Sequence, residues 1–349
     1  MILTEIVSLH DNPTPLKMVD DWPIPTPGPK DILVKVLACG VCHTELDEIE
    51  GRTPPAFFPM ILGHQIVGQV VAAGENAQRF RRGDRVGMGW FHSACGACIF
   101  CRTGRENLCS SFKATGRDAY GGYAEYTALP EDSACLIPDT ISHTEASPLL
   151  CAGSIGYRSL RLTQLENGQN LGLTGFGASG HLTLKLAHFL YPNSSVFVFA
   201  RNENEREFAR KLGAAWAGDT EEAAPEKLHG IIDTTPAWKP VLEALKNLER
   251  GGRLVINAIR KEEKDKNLLM NLHYSDQLWM EKEIKSVANV TRKDIAEFLR
   301  IAAEMNIRPT VEEYPLDQAN TALERLKSGD AVGSKVLIPA SRSDLPKTF

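Results

Sequence analysis

No stretch of this 349-residue chain approaches the run of about 18 apolar residues that a membrane-spanning helix needs. Positive charge is short as well. Thirty-nine Lys and Arg stand against 44 Asp and Glu, a formal net charge of −5, which argues against a nucleic-acid surface. The one basic cluster, Arg79-Phe80-Arg81-Arg82, runs into Gly83-Asp84 and reads as a solvated face. Met1 to Glu5 lack the basic and apolar regions of a secretory signal, so the expected compartment is the cytoplasm. There, eight cysteines stay as thiols, and their spacing favours metal ligation over a disulfide framework. Internal repeats and low-complexity tracts are missing too. What remains is an ordinary globular composition, long enough for two domains.

The first part reads as all-β. Ile32-Val34-Val36, Ile66 to Val71 and Tyr123 to Thr127 are short runs separated by Gly and Pro. Prolines 23, 25, 27 and 29 hold an extended lead into a strand over 31–38. From about residue 150 strands and helices alternate: strands over 170–174, 195–200, 230–234 and 253–259, helices over 181–190, 203–212 and 241–248. Strict alternation implies a doubly wound parallel sheet covered on both faces. A helix over 292–305 and a strand over 333–339 close the chain and are expected to rejoin the β-rich part. The expected domains are thus 1–150 plus 290–349, with 151–289 inserted between them.

Two groups of metal-ligating residues stand out. Cys95, Cys98, Cys101 and Cys109 form C-x2-C-x2-C-x7-C, and four thiolates from one loop can close around a structural zinc, defining a lobe over about 90–112. An iron–sulfur cluster is the rival, but the last gap is seven residues and no proline follows Cys109. Cys42, His64 and Cys151 are dispersed; two thiolates and an imidazole leave a fourth position for substrate, as a catalytic zinc requires. Taken singly, Cys39-Gly40-Val41-Cys42 also reads as a redox pair, His64 as a core histidine and Cys151 as a buried thiol. Cys135 has no partner in either group and reads as a core thiol.

Gly175-Phe176-Gly177-Ala178-Ser179-Gly180 matches G-x-G-x-x-G between an expected strand and helix, the setting in which main-chain N–H groups hold a pyrophosphate. The next strand ends in Ala200-Arg201-Asn202 where NAD binding calls for a carboxylate. Arg201, with Arg206 assisting, suits a 2′-phosphate, which favours NADP(H) over NAD(H). Glu203 is the alternative, as a carboxylate for the ribose, and Arg201 is then a solvated side chain. Zinc has no redox change of its own, so metal and nicotinamide together point to hydride transfer.

Over nearly the whole chain these residues resemble the zinc-dependent medium-chain alcohol dehydrogenases: CGVCHTELD, GHQIVG, GDRVG, the four-cysteine lobe, PLLCAG and GFGASG follow the family's order. The resemblance implies a Rossmann domain inserted in a GroES-like catalytic domain, and reversible hydride transfer between an alcohol and its aldehyde or ketone. It implies a homo-oligomer, a tetramer or else a dimer. It gives Thr44 the hydrogen bond to the substrate oxygen, His43 and Lys335 the cofactor pyrophosphate, and Trp90 and Thr53 the substrate pocket. Glu45 would orient the His64 imidazole. Three positions depart from the family's habit. Gln65 replaces a glutamate, Asp47 stands at a proton-relay position that is often histidine, and Ser334-Lys335 replaces an arginine. Two other readings remain. A zinc-free quinone or enoyl reductase on the same fold would lack this ligand set, and a non-enzymatic zinc-binding interaction module would need a basic surface.

Overall fold

The structure is a computed structural model and describes residues 1–328 and 333–340, with only the main chain of Ala178. The chain divides into two compact units, one of Met1–Cys151 with the chain from Val290 onward, the other Ala152–Asn289.

In the first unit the long strand β1, Asp31–Val41, buries nearly its whole length. It pairs antiparallel with β2, Gln65–Ala73, which pairs in turn with β3, Arg85–Met88. β4, Tyr126–Pro130, pairs with the beginning of β1, and β5, Cys135–Leu136, with β3. Ile32, Val34, Val36, Ile66, Val70, Val86 and Met88 fill the core between these strands. β1 leads directly into helix α1, His43–Ile49, capped at Cys42, whose N–H donates to Glu45 Oε2 at 2.7 Å. That cap fixes which way the helix presents its polar side chains.

The second unit is a six-stranded parallel sheet. Its strands are β6 (Leu171–Thr174), β7 (Val196–Phe199), β8 (Trp216–Gly218), β9 (Leu228–Asp233), β10 (Leu248–Ile256) and β11 (Glu283–Ser286). The order is β8-β7-β6-β9-β10-β11, so the strand order reverses between β6 and β9, the switch point where doubly wound sheets take their ligands. Helices α2 (Ser154–Thr163), α3 (Ala178–Leu190), α4 (Glu203–Lys211) and α5 (Lys239–Asn247) lie along the chain of this unit. β8, β11 and α2 go beyond the sequence reading: β8 has three residues, and β11 is a polar Glu-Ile-Lys-Ser edge strand exposed throughout. β10 also starts at Leu248, five residues before the expected 253.

The chain then returns to the first unit through α6, Arg292–Glu304, and β12, Val311–Pro315. β13, Ser334–Ile338, pairs parallel with β12 and antiparallel with β1. Residues 329–332 and 341–349 of the expected 290–349 segment lie outside the described residues.

Candidate active site

Three elements of the first unit bring Cys42, His64 and Cys151 together. Cys42 is the cap of α1, His64 directly precedes β2, and Cys151 lies on a wide π-type turn, Leu149–Gly153, that follows Pro148. Gly63, at φ +94°, makes the bend before His64; a Cβ there would overlap the Tyr123 ring at 2.3 Å. The donor atoms of the trio lie within 4.8 Å of one another, and the Cys42 and Cys151 sulfurs are 4.0 Å apart. Tetrahedral zinc with Zn–S bonds of about 2.3 Å implies an S···S edge of about 3.8 Å, so the trio fits that ion.

The surroundings favour a cation. Its hydrogen bond with Cys151 pushes the Cys42 thiol well below its usual pKa, against burial and with help from His64. The same shared proton, together with burial, pushes Cys151 well up. Burial opposes a charged His64, but Glu45 and Cys42 outweigh it and hold the imidazole well above its ordinary value. Glu45 Oε1 lies 2.6 Å from His64 Nδ1, and both side chains are buried. That contact directs Nε2 toward the sulfurs and is the carboxylate–histidine support common to metal sites. Gln65 is buried beside Cys151 and hydrogen-bonds toward its sulfur, while Ser147 Oγ holds the Gln65 carbonyl at 2.7 Å.

The other residues singled out at this site lie on or near α1. Thr44 Oγ1 is 3.7 Å from the Cys42 sulfur. Asp47, three residues on, binds Arg52 Nε through its carboxylate and accepts the Thr53 N–H on its carbonyl. His43 is exposed at the first position of the helix. Trp90 is 8% exposed, with the Arg117 guanidinium carbon 4.9 Å from its ring centre. The sequence reading missed Arg117 and also Glu48, an acid buried completely on α1. The available signal for Glu48 was its spacing, four residues after Thr44.

The four-cysteine loop is compact: Cys95 to Cys101, Cys98 to Cys101 and Cys109 to Cys95 are 3.8, 3.6 and 3.5 Å between sulfurs. These separations are zinc-like and far longer than an S–S bond. Gly96 turns the loop at φ +71°, and the N–H groups of Ala97 and Cys98 lower the Cys95 thiol to about 6. Cys135, apart from both groups, donates to the Gly87 carbonyl at 3.4 Å, and burial raises it to about 12.

In the second unit Gly175, at φ +79°, ends β6, and Gly177 caps α3. A Cβ at Gly177 would meet nothing within 4 Å, whereas one at Gly180 would press on the Gly175 carbonyl at 2.9 Å. Bare main chain at a helix start, tightly turned by Gly175, with Ala178 and Ser179 in the first turn, fits a pyrophosphate. Arg201 is exposed after β7, and Asn202 caps α4 by accepting from the Asn204 N–H at 2.9 Å. Arg206 is committed elsewhere, to Glu203, Asp219 and the Ala200 carbonyl. Lys335 requires a correction. Its side chain is 0% exposed on β13, with Nζ 2.8 Å from Glu312 Oε2 on the neighbouring strand, so it does not reach out to a pyrophosphate.

Comparison with known proteins bears on the same regions. Residues 28–139 match the family model described as the alcohol dehydrogenase GroES-like domain, and residues 208–337 that of the zinc-binding dehydrogenase. A probable alcohol dehydrogenase of Mycobacterium tuberculosis is 42% identical over 320 residues, 90% of each chain. A solved cinnamyl alcohol dehydrogenase of Sorghum bicolor is 28% identical with a TM-score of 0.77, covering 91% of this chain and 92% of its own. The CAD of Helicobacter pylori, solved with NADP(H), is 25% identical with a TM-score of 0.77, covering 90% and 91%.

Proposed function

The chain belongs to the zinc-type medium-chain alcohol dehydrogenases, and from that premise we propose that it interconverts alcohols and their aldehydes or ketones at the Cys42–His64–Cys151 site, with NADP(H) favoured. Alcohol dehydrogenase homologues make it an oxidoreductase. The observation that carries the finer reading is the open trio, with His64 braced by Glu45 and one tetrahedral position left over. Zinc held there would supply Lewis-acid polarisation of the substrate oxygen, and the nicotinamide would carry the hydride.

The chain's own residues do the rest. The Thr44 hydroxyl, beside Cys42, takes a hydrogen bond from the substrate oxygen and passes its proton on. Asp47, one turn further along α1 and tied to Arg52, is the exit of that path. Glu45 keeps the imidazole in one tautomer. The Gln65 amide steadies the Cys151 sulfur without adding negative charge. Trp90 and Thr53 limit the space around the substrate.

Cofactor binding is assigned to Gly175, Gly177, Ala178, Ser179 and Gly180 for the pyrophosphate, with His43 assisting, and to Arg201 and Asn202 for the ribose end. Because Arg206 is engaged by carboxylates, preference for the 2′-phosphate rests on Arg201. Arg201→Ala should raise KM for NADPH at least about tenfold more than KM for NADH; equal effects would remove Arg201 from that role. Among the described residues no helix is long and apolar enough to cross a membrane, and thiolate ligands suit the reducing cytoplasm. The exposed β11 edge, with Trp279, Met280 and Ile284 beside or on it, supports a homo-oligomer, a tetramer or else a dimer, which light scattering would resolve.

Metal analysis tests the proposal. Two zinc ions per chain are expected, and Cys42→Ala should keep one of them and lose alcohol-dependent NADPH formation. A variant that keeps both zinc and activity would refute it.

A further inference from the structure

At the carboxyl end of the second unit's sheet lies a buried ion pair that touches neither cysteine group. Asp233, the last residue of β9, is 0% exposed, and the Lys261 ammonium reaches it from the segment that follows β10. Each proton of that ammonium has its own acceptor: a carboxylate oxygen of Asp233, the Thr235 carbonyl at 2.8 Å and the Ala237 carbonyl at 2.8 Å. The other Asp233 oxygen accepts from the Thr174 hydroxyl at 2.6 Å and the Thr235 hydroxyl at 2.7 Å. The pair is therefore complete and calls for no ligand of its own.

Its neighbours show what it holds. Asp233 and Thr174 pair across β9 and β6, the strands that flank the switch point, and Thr174 leads directly into Gly175. The Thr234 hydroxyl donates to the Thr174 carbonyl at 2.9 Å, and a Cβ on Gly175 would meet that hydroxyl oxygen at 2.8 Å. The glycine turn thus rests on residues 234–235. The segment after β10 is tied to the same turn at two further points. The Glu262 N–H donates to the Pro236 carbonyl at 2.8 Å, and Asp265 Oδ2 accepts the N–H groups of Trp238 and Lys239, both at 2.9 Å, where α5 begins. Lys261 stands among these ties, its Nζ 5.8 Å from the centre of the Trp238 ring. A buried ion pair adds little net stability over apolar side chains of the same volume, and its best-attested use is to fix one geometry.

We propose that Lys261 is a positioning residue of the cofactor site. Through Asp233 it sets the turn after β9, and that turn sets the glycine turn whose N–H groups receive the pyrophosphate. The inference rests on the cofactor assignment above. The pyrophosphate is common to NADPH and NADH, so Lys261 acts on both alike, whereas Arg201 acts on one.

Lys261→Met removes the ammonium and keeps the length of the side chain. Kd and KM for NADPH and for NADH should rise together, at least about tenfold, with two zinc ions retained and kcat at saturating cofactor within a few fold. Adding Asp233→Asn relieves the unpaired buried charge, so the double variant should recover Tm yet keep the weakened cofactor binding. Binding that recovers with Tm, that never weakens, or that weakens for NADPH alone would overturn the inference. Hydrogen exchange on the unsubstituted enzyme gives a reading that needs no variant: the N–H groups of Thr234, Trp238 and Glu262 should be protected before any cofactor is added. Protection that arises only with NADPH would equally overturn it. An unsubstituted enzyme that binds neither NADPH nor NADH would instead overturn the cofactor assignment, a result distinct from tight binding that ignores Lys261.

Discussion

On the proposed function, the two cysteine groups would use the same ligand chemistry to opposite ends. The four-cysteine loop takes all its donors from one short segment, with Cys95 exposed and its own main chain lowering that thiol. The trio takes one donor from each of three elements, the cap of α1, the start of β2 and the turn before α2, around a buried His64. A loop that closes on itself stabilises its own lobe. Donors on three separate elements are placed by the fold around them, and on the proposed function that rigidity would keep a fourth position open. The trio is supported by side chains, Glu45 on the imidazole and Gln65 on Cys151, whereas sulfurs of the loop accept main-chain N–H groups, Cys98 N–H on Cys95 and Ser111 N–H on Cys109.

Three substitutions sharpen the contrast. The largest effect is expected from Cys98→Ser, which should lower Tm by about 5–10 °C, a cost of about 3 kcal/mol, while the folded fraction keeps its turnover within a few fold. Loss of turnover with Tm unmoved would give the loop a share of the chemistry. Glu45→Ala should weaken zinc at the trio, or activity, by about 10–100-fold and leave the loop's zinc in place. Zinc lost equally from both sites would mean that Glu45 acts on the fold at large. The smallest effect touches neither group. Lys335 and then Tyr314 hydrogen-bond Glu312 and lower its carboxyl to about 2, against about 4.3 when unfolded. A depressed carboxyl contributes stability that is present above about 4.3 and lost as pH falls toward 2. Glu312→Gln should therefore flatten acid unfolding over that window while the activity profile near neutrality stays put. A shifted activity profile would mean that the Lys335 pair communicates with the zinc ligands.

Much of this architecture was legible because its signals are local. The glycine turn between β6 and α3 carries its context in a few residues, and the cysteine loop carries its ligand spacing. The parallel sheet is legible from alternating apolar strands and helices, although β8 is too short and β11 too polar to register as strands. Lys335 was misread because its fate depends on pairing. β12 has the sequence Val-Glu-Glu-Tyr-Pro, which gives no strong strand signal, yet its register sets Glu312 opposite Lys335. Glu48 failed for a related reason. In Glu-Leu-Asp-Glu-Ile-Glu a charged residue reads as solvated, and only the cap at Cys42 and Glu45 decides that this face of α1 turns inward. Arg206 looked available from its place in the sequence, but Glu203 and Asp219 converge on it in the fold.

The central claim is that the dispersed trio carries the chemistry and the loop carries only structure. Zinc content, Tm and alcohol-dependent NADPH formation measured side by side on Cys42→Ala and Cys98→Ser test it most directly. The account predicts one zinc per chain in each variant, with activity abolished and Tm nearly unchanged in the first, and Tm lowered with turnover retained in the second. Activity that survives Cys42→Ala, or disappears from folded Cys98→Ser, would contradict it.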